Sequence, residues 1–495
     1  MKTLFTSLFF AFLSFSCFAQ LDTAVVRTIG GERFEEAIDM VQADDGGYLV
    51  LGSSGSLEGY NSEVYLLKLT QDLEYEWSKR FGNSGLEKAQ AFEQTADGDL
   101  VITGYALEQG QGTGYDILLM KVTQEGELLW STTYGESDWD FGYEITQHSD
   151  GGFLVVGETW SIGSGMNDTY LLKFDSEGSF EWQQTYGVSG EDFGTDIIPS
   201  QEGDGYLITG ASEVDNGNGN YFLQGKIYKV DQQGNMLWEL TNSEDSVSVI
   251  NAIAYQGGDY ICSGYTIDTV EEGKQMTTQF LTVDGDLNST VIYTSLGNQE
   301  LVDVIHIPSE ATILYVGTSD TFGNGGLGVY GFRVSDSSNS VLGSRVWGGA
   351  EDEVGRGVYV DDQNAALFFG WSDSYGLGSS DVYIVKIEDP LMVSDYAIDQ
   401  AHYVDENIGV EVFEPSLTSV EVFPNPTTGI LNFDFPNYQI AEIAVMGSSG
   451  QLVERLEVAG DTYTIDLSRH RSGCYILHLF DQQGRMLGME RVLKK

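Results

Sequence analysis

Short apolar runs separated by Gly, Asp and Ser dominate this chain, and they return at a fixed interval. In residues 150–187 two such runs, 153–156 and 170–174, are followed by a third that is headed by Trp182 and closed by Gly187. Runs of this length and make-up read as β-strands, with the Gly/Asp/Ser clusters as turns. The closing glycines Gly30, Gly82, Gly135 and Gly187 recur every 52 or 53 residues, and the pattern continues past Ser243 to Gly297 and Gly348, with a last copy ending at Lys386. Each copy holds a first strand such as 36–42, a tight turn at 44–47, a second strand at 48–52, a polar loop, a third strand at 64–69 and a final strand beginning at a Trp. Seven copies of four short strands predict an all-β, seven-bladed β-propeller.

The two ends of the array test that expectation. Residues 25–30 copy the final strand of a repeat without the three strands that should precede it, and the last copy lacks that strand. The N-terminal strand is therefore expected to complete the seventh blade and leave no open end. Trp77, Trp130, Trp182 and Trp238 occupy one slot, with Gly126, Gly178 and Gly234 four residues before the last three, and the slot weakens to Ile292 and Gly343 in later copies. A large ring recurring once per repeat reads as a wedge between blades, not a cofactor platform. These repeats resemble propeller repeats of secreted proteins of the Bacteroidetes and, more distantly, the tryptophan repeats of quinoprotein dehydrogenases. The turns before Trp182 and Trp238 have one residue fewer ahead of the glycine than the quinoprotein motif, and no vicinal cysteine pair is present, so quinone binding is not carried over.

Both ends of the chain read as export signals. Residues 1–19 form a signal peptide, with Lys2, an apolar stretch at 4–15 and Cys17-Phe18-Ala19 before a cut at Gln20. The stretch is too short for a membrane span, and Ser14 stands where a lipoprotein signal carries an aliphatic residue. The propeller is placed at 20–387, and an acidic linker with Pro390 and Pro415 at 388–418. Residues 419–495 then show Pro424-Asn425-Pro426, Gly429, a central turn at Gly450, the Gly473-Cys474-Tyr475 strand and a basic end at Lys494 and Lys495. That series resembles the type A C-terminal sorting domain of the type IX secretion system. The resemblance implies a small C-terminal β-sandwich, the secretion machinery as partner, and passage through the periplasm to the outer cell surface or the medium. Cys474 and His478 stand where that family carries apolar residues, a tolerated variation.

Composition narrows the partners. With 76 Asp and Glu against 23 Lys and Arg, the formal charge is −53; such a surface repels phosphate backbones and anionic lipid, which excludes nucleic acid and bare membrane. No transmembrane anchor is expected in the mature chain. Its two cysteines, Cys262 and Cys474, fall in different domains and read as small buried residues without a disulfide.

Five residues after the closing glycines an acid recurs as Glu35, Glu87, Asp140, Asp192 and Glu353. A carboxylate ring at a channel mouth would suit Ca²⁺ as a cofactor. The alternative is that each acid caps backbone N–H groups of its own turn, and the gaps in copies five and six favour it. Lys68, Lys121, Lys173 and Lys386, with Lys229 and Arg333 in two other blades, follow repeated acids and read as internal ion pairs. The Gly-rich loops lack a Lys-Ser/Thr pair leading into a helix and are not phosphate loops. Trp160, Tyr60, Trp371 and Tyr375, in or beside those loops, offer sugar-stacking faces or inter-blade packing. The five histidines are scattered without metal-ligand spacing. Asp138-Trp139-Asp140 is the one local cluster that departs from its sister repeats and the first place to seek an active site. The reading is a non-enzymatic binding or scaffold protein with a glycan or protein ligand; the alternative is a polysaccharide hydrolase or lyase acting at a channel mouth.

Overall fold

The computed structural model describes residues 24–31, 34–55, 62–82, 85–107, 114–215, 221–241, 247–267, 273–293, 298–320, 326–376, 379–387, 398–405, 421–423, 430–434, 442–447, 452–457, 462–470, 473–480 and 486–495. The signal peptide, the cut at Gln20, Tyr60, the Pro424–Gly429 opening and Gly450 lie outside these residues, as do most of the Gly-rich loops; the loop between Thr159 and Asp168 lies within them.

Seven sheets form the propeller. Each of the first six is a meander of four antiparallel strands in chain order. The first strands of successive blades touch one another all the way round, and Glu353–Val360 closes the ring on Glu35–Gln42. The seventh sheet takes three strands from residues 353–387 and its fourth, Ala24–Gly30, from the N-terminus, antiparallel to Asp381–Ile387 with Val25 opposite Lys386. This is the closure that the missing strands at the two ends of the repeat predicted. A further strand, Ile398–Asp405, lies parallel to Ala24–Gly30 on its other edge, so part of the segment read as an acidic linker is paired with the propeller sheet.

Alternation along each strand sends side chains to the two neighbouring blades. In the second strand of blade one, Tyr48–Ser54, Tyr48 and Val50 pack with Leu367 and Ile384 of blade seven. Leu49 and Leu51 of the same strand pack with Leu100 and Ile102 of blade two. The core is thus a ring of inter-blade layers, which explains why second and third strands read as nearly continuous apolar runs.

The tryptophans are the expected wedges. Gly126, Gly178, Gly234 and Gly285 lie in the turn before each fourth strand at φ of +72°, +77°, +76° and +87°. A Cβ on any of them would meet the ring of Trp77, Trp130, Trp182 or Trp238 in the preceding blade at 2.5–3.1 Å. Glycine is thus required twice over, for the left-handed backbone and for the close approach of the indole. Register also refines the slot: Trp77, Trp130, Trp182 and Trp238 stand opposite Lys68, Lys121, Lys173 and Lys229, and in blade five the matching pair is Gln279 and Thr290, two residues before Ile292.

The C-terminal unit forms by itself a three-stranded and a four-stranded antiparallel sheet around a core that includes Leu431, Ile443, Val445, Ile465, Leu477 and Val492. Tyr475 is buried in it, and the side chain of Lys494 donates to the His470 carbonyl. Gly473 pairs with Lys494 across two strands.

Candidate functional site

The repeated acids sit where one blade crosses to the next. Glu35, Asp140, Asp192 and Glu353 open the innermost strands of their blades and Glu87 is the second residue of its own; all five are at most 4% exposed. The backbone N–H four residues earlier donates to the carboxylate in four crossings: Gly31 to Glu35 (2.7 Å), Glu136 to Asp140 (2.8 Å), Val188 to Asp192 (2.8 Å) and Gly349 to Glu353 (2.6 Å). Hydroxyls add to this, from Ser54 to Glu35 (2.8 Å), Ser161 to Asp140 (2.9 Å) and Ser372 to Glu353 (2.7 Å). Buried carboxylates that accept backbone N–H groups hold a loop in one shape. Register places Ser248 and Gln299 in the same slot in blades five and six, opposite Thr266 and Ser319. Among the described residues no three His, Cys, Asp or Glu side chains are grouped so as to hold a metal ion.

A second acid meets the first across the closing glycine. A Cβ on Gly30 would fall 1.9 Å from Asp381 Oδ1 and 2.9 Å from Glu35 Oε2; on Gly187 it would fall 2.6 Å from Asp192 Oδ2 and 2.8 Å from Asp168 Oδ1. Burial pushes the Asp140, Asp168, Asp192 and Glu353 carboxyls up, and at Asp192 the neighbouring Asp168 adds to the shift. The closing glycine is therefore the space that two carboxyls need.

A second set of carboxylates, absent from the sequence reading, lines the channel. In all seven innermost strands the register slips by one residue, at Ile38, Gln90, Tyr143, Thr195, Asn251, Val302 and Arg356. Such a bulge disrupts the ladder locally. Asp39, Glu144, Asp196 and Asp303 follow four of these bulges. Asp39 accepts from Met40 (2.7 Å) and from Phe92 of blade two (3.2 Å), and Asp303 from Val304 (2.7 Å) and from Val358 of blade seven (2.9 Å). Asp196 accepts from Ile197 and from Ile253 of blade five (2.8 Å), and Glu144 from Ile145 (3.0 Å). Four carboxylates thus serve the equivalent N–H of all seven blades, and three of them, Asp39, Asp196 and Asp303, tie neighbouring blades together.

These four side chains are half-buried by surface yet strongly desolvated, because a ring of seven strands displaces water from most directions around them. Burial pushes Asp39 and Asp196 up to about 7 and Asp303 to about 6 against the pull of their N–H donors, and repulsion from neighbouring carboxylates adds to the rise at Asp39 and Asp196. Glu144 is raised by burial and by Asp196 and Asp39. The signal in the sequence was an acid inside an apolar innermost strand, obscured because blades two, five and seven carry Ala91, Ala252 and Gly357 there.

The basic series forms ion pairs, as expected, chiefly with acids of the turn between the first and second strands, and Lys173 and Lys68 also with Glu181 and Glu76 of the fourth strand. Lys173, 1% exposed, meets Asp150 at 3.1 Å and Glu181 at 2.9 Å; Lys121 meets Asp97 at 2.6 Å, Lys68 meets Asp45 at 2.7 Å, and Lys229 meets Asp204 at 3.0 Å. Arg333 pairs with Glu310, and Lys386 with Asp361 at 3.4 Å. The repeat consumes these cations within its own blades.

What remains is the crossing between blades two and three. Trp139, 42% exposed, stands 5.8 Å from Trp160 and 6.4 Å from Phe141 by ring centroids, and Phe141 stacks on Tyr143 at 6.1 Å with 8° between planes. Tyr105 and Tyr115 pack against Phe141 at 4.9 and 5.5 Å. Glu158, opposite Phe141 in the neighbouring strand, accepts from Tyr143 Oη at 2.8 Å and from Asn167 Nδ2 at 2.6 Å. Burial raises its carboxyl against the pull of these donors. Asp138 is exposed, and its N–H donates to Ser161 Oγ at 2.9 Å. Packing of blade two on blade three assembles this group, so only Asp138, Trp139 and Trp160 were visible beforehand. Tyr375 stacks on Tyr383 at 5.9 Å and belongs to the packing of blade seven.

Residues 421–491 match the secretion system C-terminal sorting domain. No curated protein matches the chain. Similar solved structures include the WD40 domain of Pan2 from Neurospora crassa, with TM-score 0.44, 10% identity and coverage of 72% of this chain and 89% of that one. The β-propeller domain of the Trilobed protease from Pyrococcus furiosus gives TM-score 0.41, 12% identity and coverage of 74% and 98%. With seven blades closed by the N-terminal strand and a sorting domain at the C-terminus, the chain is a secreted β-propeller protein exported by type IX secretion.

Proposed function

We propose that the mature protein is a non-enzymatic binding or scaffold protein acting on or outside the cell surface, with the propeller at 20–387, an acidic linker at 388–418 that lends residues 398–405 to the propeller sheet, and the sorting domain at 419–495. The observation that carries this reading is the use of the repeated charged groups. The five crossing acids sit in backbone turns, four of them with an N–H donor identified, and the basic series is paired within its own blades, so they act as scaffold and not as a calcium ring or a catalytic set. The function then belongs to the places where the blades differ, and a propeller fold alone names no chemistry.

A hydrolase reading draws support from Glu158, a carboxyl raised by burial beside an aromatic row, the kind of group that serves as a general acid. The deciding experiment incubates the mature protein, from residue 20, with a panel of polysaccharides and with cell-envelope fractions. Binding without product release is expected; turnover that Asp138→Ala abolishes would overturn the reading.

A further inference from the structure

We infer that the aromatic row at the crossing between blades two and three is a binding site for an uncharged saccharide chain. This deepens the binding reading above and rests on it. Four rings follow one another as Trp160, Trp139, Phe141 and Tyr143, at centroid steps of 5.8, 6.4 and 6.1 Å and with 58°, 72° and 8° between successive planes, so the row is faceted and a chain would have to turn along it. Each step is close to the length of one pyranose. All four rings keep solvent-exposed surface, Trp139 the most. Large half-exposed rings that present an apolar face beside polar groups suit ligands that are themselves apolar on one side and polar at the edge. A pyranose has that form, with C–H groups on its face and hydroxyls around its rim.

The polar groups match such a rim. Glu158 lies beside Phe141 and Tyr143 with its carboxylate fixed by Tyr143 and Asn167, and Ser161 and the exposed Asp138 border Trp139. Donors and acceptors held this way orient a ligand without needing charge on it.

Charge selects among the alternatives. A chain at −53 repels uronic acids and sulfated sugars. An organic cation would need rings standing apart around it as a cage. Here Tyr105 meets Phe141 edge-on at 4.9 Å and Trp139 meets Trp160 at 5.8 Å, so the rings fill the space between one another and offer a surface. Single rings recur elsewhere, Phe34 at the Trp139 position of blade one and Phe193 at the Phe141 position of blade four, but the neighbouring blades do not repeat the row. At the positions of Trp139 and Tyr143, blade four carries Glu191 and Thr195 and blade two carries Leu86 and Gln90.

The test uses the mature full chain and isothermal titration with cellohexaose, xylohexaose, mannohexaose and laminarihexaose, with choline and a polygalacturonate oligomer as charged probes. One neutral hexaose is expected to bind. Trp139→Ala is expected to weaken it at least tenfold and Glu158→Gln several-fold, both with an unchanged melting temperature. Tryptophan emission should shift on binding in the parent and not in Trp139→Ala. Choline binding in place of the hexaoses would overturn the saccharide assignment. Hexaose binding that survives both Trp139→Ala and Phe141→Ala would remove this site and leave the binding reading standing elsewhere on the propeller. Cleavage of the hexaose would overturn the non-enzymatic reading itself.

Discussion

Replacing Gly178 by alanine separates the two reasons that a glycine is found beside each inter-blade tryptophan. Its φ of +77° places an L-residue in the left-handed region, a cost of about 1–2 kcal/mol. The new methyl would also sit 2.6 Å from Cζ3, 2.9 Å from Cη2 and 3.0 Å from Cε3 of Trp130, so the indole or the turn must move. Overpacking of this kind costs about 1–3 kcal/mol. Gly151 is the control: its φ is +90° and nothing lies within 4 Å of its Cβ position, so Gly151→Ala carries the backbone cost alone. All eight tryptophans lie in the propeller, so tryptophan emission during urea unfolding follows that unit and not the sorting domain. The expected losses are about 1–2 kcal/mol for Gly151→Ala and about 2–5 kcal/mol for Gly178→Ala. Pairing Gly178→Ala with Trp130→Leu should recover part of the excess, because the two sites are in contact. Equal losses in the two single variants, with no coupling to Trp130, would refute the wedge.

The channel carboxylates predict a pH dependence. Folded pKa values of about 7 for Asp39 and Asp196 and about 6 for Asp303 lie above the ordinary 3.8, so the folded state holds extra protons and stability falls as pH rises from about 4 to about 7. Thermal melts across that range should show the fall, and Asp196→Asn should flatten it while keeping an acceptor for the Ile253 N–H. Below about pH 4 the trend reverses as the lysine-paired turn acids protonate, because Asp97 and Asp150 are held down to about 2; a melting temperature still rising at pH 3 would contradict those pairings. Chelator is expected to leave the melting temperature unchanged, since the crossing acids are bound to backbone, and a drop of several degrees would reinstate calcium. Deleting residues 420–495 should strand the protein in the periplasm, which cell fractionation reads directly; normal export of that truncation would remove the sorting assignment.

The sequence exposed whatever repeats in register. The period, the tryptophan slot and the missing strand at either end are local features, and they were enough to place seven blades and their closure. Two things stayed hidden because they depend on how strands pair. Asp39, Glu144, Asp196 and Asp303 follow a bulge that no composition rule reveals, and each reaches a neighbour on its own strand or about 50 residues away. Tyr105 and Tyr115 gain meaning only when blade two presents them to Phe141 of blade three. The lysines were read correctly as paired, but their partners lie chiefly in the hairpin turn of the same blade, brought near by register.

Closure through Ala24–Gly30 also fixes an order of events. That strand leaves the ribosome before any blade exists, and its partner Asp381–Ile387 comes about 350 residues later. Bringing the ends of so long a loop together costs entropy that only the preformed blades between them can reduce. Until then the seventh sheet lacks its fourth strand and shows an open edge able to pair with another copy. The ring can therefore shut only after the last blade has been made. Closure by the chain's own first strand and pairing with a second copy thus compete for one edge, and every residue that speeds the first protects against the second.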